Sequence, residues 1–244
     1  MVLKLSNDIE TVLKSLKENS FNPVKFTEMA DNATKFVLNM IPINVTVGVP
    51  GSTTIRQLGL VKQLRARGTR VIDTGKRSRL SIDELARRTL RSDILLASSN
   101  AVTLDGKLVN TDAMGNRAAG MVFGPKKVIL VVGGNKIVRN VDEAIDRIKK
   151  IIAPYHSKTK GKRTPCATDG RCTDCNSVER ICRVTTIIEK KPQFTDIAIV
   201  LVGEDLGLGW DPIWPKERRE KIALAYQQAR RDLSQTIQNL PTRR

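Results

Sequence analysis

The residues best suited to chemistry are four cysteines confined to one segment, with the spacing Cys166-x5-Cys172-x2-Cys175-x6-Cys182. Four thiols this close can reach one centre, and the thiolate is the form that binds metal. The segment carries Pro165, Gly170 and several charged residues but little apolar content. Coordination rather than burial would therefore have to order it. Structural zinc usually takes two close cysteine pairs, whereas here only Cys172 and Cys175 form one and the other two lie at longer reach. A cuboidal iron–sulfur cluster is wider and is held by such spacing. The leading expectation is a 4Fe–4S cluster, with zinc as the alternative and redox disulfides or inert thiols third. Arg163, Arg171, Arg180 and Arg183 bracket the thiols and would offset the negative charge of a thiolate-ligated cluster, unless they are ordinary surface charge.

A second group of residues suits a small anion. Gly51, Ser52, Thr53 and Thr54, preceded by Gly48, make a glycine–hydroxyl turn opening a helix. Its free N–H groups and dipole would favour phosphate or carboxylate, although the same residues serve equally as a hydroxyl-capped strand–helix turn. Asn110, Asp112, Asn116 and Arg117 stand beside the small residues Gly115, Ala118 and Ala119, which lets backbone approach a ligand, and Asn or Asp also simply make turns. Asn135 and Lys136 follow an apolar strand, where open-sheet sites lie. Arg117 and Lys136 are the expected anion contacts. Glu204 and Asp205 could bind a cation or a hydroxyl, or cap a helix. His156 is expected to be exposed and partnerless. No Gly-x-Gly-x-x-Gly turn follows the first strand, which argues against a bound dinucleotide and leaves electron traffic to the metal centre.

The elements that must position these groups alternate. Ile9, Val12, Leu13 and Leu16 lie on one face of a first helix capped by Ser6 or Asn7, and a second helix covers residues 28–40. A strand over 44–49 enters the glycine turn, and a helix with the face Ile55, Leu58, Val61 and Leu64 ends near Gly68. Strand 70–73, helix 81–90 and strand 93–98 repeat the pattern. Asp105-Gly106 signals a hairpin. A small-residue helix over 116–122, the strand 127–132, a helix closed by Pro154 and a strand over 196–202 complete the series. Such alternation implies a mostly parallel sheet with ligands at its carboxyl edge. The expected domains are N-terminal helices over 1–41, an α/β domain over 42–213 with the cysteine loop at 163–184, and a basic helix and tail over 214–244.

Composition agrees. The chain has 244 residues, 40% hydrophobic and 27% charged, so it is neither disordered nor collagen-like, and with only 4% aromatic residues its core must be aliphatic. No run of about 18 apolar residues is present, which argues against a membrane span, and the start lacks a secretory signal, which places the protein in the cytoplasm. The net charge of +17 is concentrated in residues 56–91, 155–193 and 214–244. These stretches lack the interleaved aromatics of single-strand binders, which argues against nucleic acid; a basic zinc module on DNA or RNA is the remotest alternative.

The stretches VGVPGSTTIRQLG, DGKLVNTDAMGNRAAGMVFGPKKVILVVGGNKIV and LVGEDLGLGWDP resemble the LUD (lactate-utilisation) domain, and PCATDGRCTDCNSVERIC is similar to its four-cysteine variants. The likeness runs from about Val45 to Pro212. It implies a three-layer α/β fold like that of the sugar-phosphate isomerase, CoA-transferase and formyltetrahydrofolate cyclo-ligase superfamily. It also implies association with oxidation of lactate to pyruvate beside iron–sulfur redox partner proteins. In the larger LUD subunit of such systems the cluster cysteines follow the domain, and here they precede the last strand, so a general redox role is what carries over. The functional expectation is an iron–sulfur protein binding a small anion and moving electrons in the oxidation of lactate or a similar acid. The alternative is a non-redox protein for a phosphorylated sugar, CoA or folate-type ligand with structural zinc.

Overall fold

The computed structural model describes residues 2–75 and 78–238. Lys76 and Arg77 of the basic segment 56–91, and residues 239–244 of the basic tail, lie outside the described residues. In chain order the elements are α1 (Val2–Glu18), β1 (Val24–Thr27), α2 (Ala30–Met40), β2 (Thr46–Val49), α3 (Thr53–Gln57), α4 (Leu60–Ala66), β3 (Arg70–Asp73), α5 (Ile82–Leu90), β4 (Ile94–Ala97), β5 (Ala101–Thr103), β6 (Leu108–Asp112), α6 (Asn116–Val122) and β7 (Lys127–Gly133). They continue with β8 (Ile137–Val138), α7 (Val141–Arg147), α8 (Ala153–Thr159), α9 (Pro165–Asp169), β9 (Val184–Ile188), β10 (Asp196–Val202) and α10 (Lys216–Gln238).

Six strands form an all-parallel sheet in the order β1-β10-β7-β4-β2-β3. The expected α/β class with a mostly parallel sheet is the observed one. Its central strands read as unbroken apolar runs because both faces are covered. Ile129 and Val131 of β7 face one core with Val37 of α2, Ile55 of α3 and Leu64 of α4. Val128, Leu130 and Val132 face the other, with Leu16 of α1 and Met121 of α6. A smaller sheet, β8-β5-β6-β9, lies over that second face. Its β5–β6 hairpin turns at Asp105-Gly106 as expected, pairing Val102 with Leu108.

Several expected boundaries differ. The first helix runs through Ser6 and Asn7, which therefore do not cap it. Residues 1–41 supply more than helices, since β1 is an edge strand of the main sheet against β10. The helix expected after the glycine turn is two short ones, because Gly59 adopts φ +63 and breaks the ladder. Pro154 does not close its helix. A π-helical turn over Ile148–Ile152, with Ala153 N–H donating to the Ile148 carbonyl, widens the backbone ahead of Pro154, and the helix continues to Thr159. β9 was not expected; it has exposed residues on one side, and its place is set by antiparallel pairing with β6.

Candidate functional site

The carboxyl ends of β2, β4 and β7 are neighbours in the sheet, and each is followed by one residue of a buried polar cluster: Thr54, Ser98 and Lys136. The Lys136 ammonium donates to Thr54 Oγ1 at 2.9 Å and to Ser98 Oγ at 2.8 Å. Lys136 is only 4% exposed. Burial pushes its pKa down to about 7, helped by the nearby Arg117 guanidinium. No carboxylate pairs with it among the described residues. Gly207, at φ +74, brings the loop after β10 onto this cluster. A Cβ there would stand 2.5 Å from Thr54 Oγ1 and 2.8 Å from Lys136 Nζ, so only glycine fits.

Arg117 occupies a different role from the expected anion contact. Its two terminal nitrogens donate to the Ser98 and Thr111 carbonyls, to Asn100 and Asn110 Oδ1, and to Asp112 Oδ1 at 2.6 Å. Asp112 also accepts from the Ala118 N–H at 2.7 Å, fixing the start of α6. Those terminal nitrogens are thus committed to protein acceptors. Arg117 positions the walls and contributes positive potential. Asn110 is wholly buried in the same network.

Lys136 opens onto a cleft of about 530 Å³, walled by the Gly51–Thr54 turn, Ser98, Asn116, His156 and the Arg180–Arg183 end of the cysteine loop. Two donors in its lining, Asn116 Nδ2 and Arg56 Nε, are buried without a hydrogen-bond partner. Orphaned donors are rare in folded proteins and suit a ligand oxygen. The turn itself contributes less than expected. Ser52 Oγ accepts from the Ile55 N–H, and α3 is only five residues long, too short for a substantial dipole. Asn135 does not line the cleft: its side chain donates to the Gly209 carbonyl and accepts from the Leu206 N–H, which shapes the loop carrying Gly207.

His156 is half-buried and lines the cleft, paired through Nδ1 with the Tyr226 hydroxyl, contrary to its expected exposure. Burial pushes its pKa well below 6.5, so the ring is neutral. Tyr226 lies on α10, and the C-terminal helix is therefore part of the cleft rather than an appendage. Glu204 accepts from the Ala30 N–H at 2.9 Å and so caps α2, while Asp205 forms a two-bond ion pair with Arg218. Neither acid lines the Lys136 cleft. Sequence reasoning missed Ser98, Arg56, Tyr226 and Gly207; only Ser98 had a usable signal, since it ends an expected strand on the side where ligands gather.

Part of the basic segment 56–91 is engaged within the fold. Arg56 pairs with Asp73 at 2.9 Å, and Arg67 donates to the Leu38 and Ile41 carbonyls at the end of α2. Arg87 and Arg88 pair with Asp83 and Glu84 along α5.

All four cysteines are free and half-buried. Arg180 donates to the Cys175 and Cys182 carbonyls at 2.7 and 2.9 Å, which ties the two ends of that half of the loop. The Arg183 N–H donates to the Asp112 carbonyl, anchoring the loop on β6. Cys182 lines the Lys136 cleft, whereas Cys166, on α9, lines a separate groove against α8 and α10. Among the described residues no three His, Cys, Asp or Glu side chains are grouped as metal ligands. The donor set suits a thiolate-ligated metal in kind, but folding alone does not gather it.

An open parallel sheet flanked by helices, with a cleft at its carboxyl edge, defines an α/β domain. Residues 9–202 match the LUD domain model, and the chain belongs to the LUD domain family. That match takes in α1 from residue 9 onward, together with β1 and α2. A crystal structure of a DUF162 family protein from Deinococcus radiodurans, at 1.70 Å resolution, is similar with TM-score 0.47 and 15% identity, covering 82% of this chain and 98% of that one. No curated protein matches the sequence. Among the described residues no helix is long and apolar enough to cross a membrane.

Proposed function

We propose that this LUD-domain protein binds a small organic acid in the Lys136 cleft, and that its cysteine loop holds an iron–sulfur cluster, 4Fe–4S in type, serving oxidation of lactate or a similar acid in the cytoplasm. The observation that carries this reading is shared lining: Cys182 and Lys136 wall the same cleft. Asp112 links the two parts, since its carboxylate holds Arg117 and its carbonyl holds the loop at Arg183. A buried cation with no carboxylate of its own favours an incoming anion, with Asn116 Nδ2 as a further donor. A bound cluster would supply one-electron capacity beside that anion, for exchange with iron–sulfur partner proteins. Coordination would have to draw the thiols together, as in other sites where metal binding completes folding.

Anaerobic purification with iron, sulfide and zinc analysis tests the redox half. Four iron and four sulfide per chain are expected, and stoichiometric zinc without iron would replace the cluster by a structural metal and leave a non-redox ligand-binding protein. Calorimetric titration with lactate and pyruvate tests the other half, with Lys136→Met expected to weaken binding at least about tenfold.

A further inference from the structure

A lysine used only to attract an anion has little reason to be dehydrated. Lys136 Nζ sits at the junction of three strand ends, covered by the Gly207 backbone and held by two hydroxyls alone. With no carboxylate among the described residues to retain its proton, and with burial lowering its pKa to about 7, the amine has a free form accessible near neutral pH. For an ordinary lysine that form is below about one molecule in a thousand. A free amine lining a cleft is a nucleophile.

We propose that Lys136 condenses with the carbonyl carbon of a 2-oxo acid bound in the cleft to form an imine. This rests on the reading that the cleft takes small organic acids, and it narrows the ligand class to those with a carbonyl beside the carboxylate. In the first step the amine lone pair forms the C–N bond while the C=O π bond breaks, and the oxygen takes up a proton to give a carbinolamine. In the second that hydroxyl takes up a proton, the C–O bond breaks and water leaves as the nitrogen lone pair forms the C=N bond, and the resulting iminium gives up its one N–H proton to leave the neutral imine. The net change is amine plus ketone to imine plus water, with no oxidation or reduction. Ser98 Oγ and Thr54 Oγ1, both bonded to Nζ, are placed to relay those protons. Asn116, 9% exposed and lining the same cleft, has an unpaired Nδ2 that would reach the carboxylate after a small side-chain adjustment, since the atom itself is buried.

The test is reductive trapping of the purified full-length chain with pyruvate or glyoxylate and cyanoborohydride at pH 8, read by intact mass and peptide mapping. The expected result is a single adduct at Lys136 adding the mass of the acid less one oxygen, absent with lactate and absent in Lys136→Arg. Ser98→Ala, which keeps the lysine, should slow trapping about tenfold or more. Binding of pyruvate by calorimetry without an adduct at Lys136 would overturn the inference and leave the organic-acid reading standing. Adducts spread over surface lysines and unchanged in Lys136→Arg would overturn it equally. Failure of both lactate and pyruvate to bind would remove the organic-acid reading and this inference with it.

Discussion

The Lys136 cleft and the cysteine loop share a wall and are built in opposite ways. In the cleft, terminal groups are locked by side-chain hydrogen bonds: Lys136 by two hydroxyls, and Arg117 by five oxygens drawn from β6 and the segment after β4. In the loop, the backbone is held by Arg180 and Arg183 while the four thiols remain separate and half-buried. One site is preorganised by folding. The other has an ordered frame whose functional atoms await something to converge on. The difference follows from composition, because strand ends buried on both faces hold most of their polar groups in hydrogen bonds and leave Asn110 Nδ2, Asn116 Nδ2 and Arg56 Nε unpaired nearby, whereas a Pro/Gly/charged loop with no core of its own does not draw its thiols together.

The largest expected effect separates the two regions outright. Replacing Cys172 and Cys175 together with Ser should abolish bound iron and visible absorbance, while calorimetric binding of small acids changes by less than about threefold, because the thiols are not part of the Lys136 network. Loss of acid binding in that variant would show the two regions to be one site. Next, Arg117→Met leaves the buried Asp112 carboxylate without its partner and should destabilise the fold by about 3–5 kcal/mol in urea titrations. Arg117→Lys should rescue little of this, since one ammonium cannot reach five acceptors arranged for a planar guanidinium.

A smaller effect has a defined pH sign. The folded-state pKa of Lys136, about 7, lies below the ordinary 10.5, so between those values the unfolded chain holds a proton that the folded chain lacks. The cost of burying the ammonium is present in full below pH 7 and is relieved as pH rises toward 10.5. Relative to Lys136→Met, the wild-type protein should therefore gain about 3 kcal/mol between pH 6 and pH 9, read as the difference of two urea-unfolding series. A flat difference would mean that the ammonium is solvated and the cleft is less closed than its geometry states. The smallest effect belongs to neither region: Glu204→Ala removes the cap on α2 and should cost about 1 kcal/mol, with acid binding and metal content unchanged.

Much of this was legible beforehand. Alternating apolar runs specify the parallel α/β class, the Asp105-Gly106 turn specifies the β5–β6 hairpin, and Lys136 stands out because it follows an apolar strand, where open-sheet sites lie. The errors fall where a residue's role depends on what lies opposite. Arg117 looks like an anion contact until five oxygens are found around it, Asn135 until its amide is found spanning the loop after β10, and His156 looks exposed until α10 places Tyr226 against it. Gly207 carries no local mark of a site, and Ser98 is marked only by ending an expected strand on the side where ligands gather.

By itself, then, the sequence determined the layer architecture, the confinement of four thiols to one loop and the placing of polar residues at strand ends, because periodicity and spacing are properties of neighbouring residues. Only the tertiary structure decided which polar groups are satisfied. Thr54, Ser98, Lys136 and Gly207 come together because the order β7-β4-β2, with β10 beside β7, sets distant strand ends side by side. Whether a buried cation has a carboxylate or only two hydroxyls beside it is a matter of distance across the sheet, which spacing along the chain does not encode.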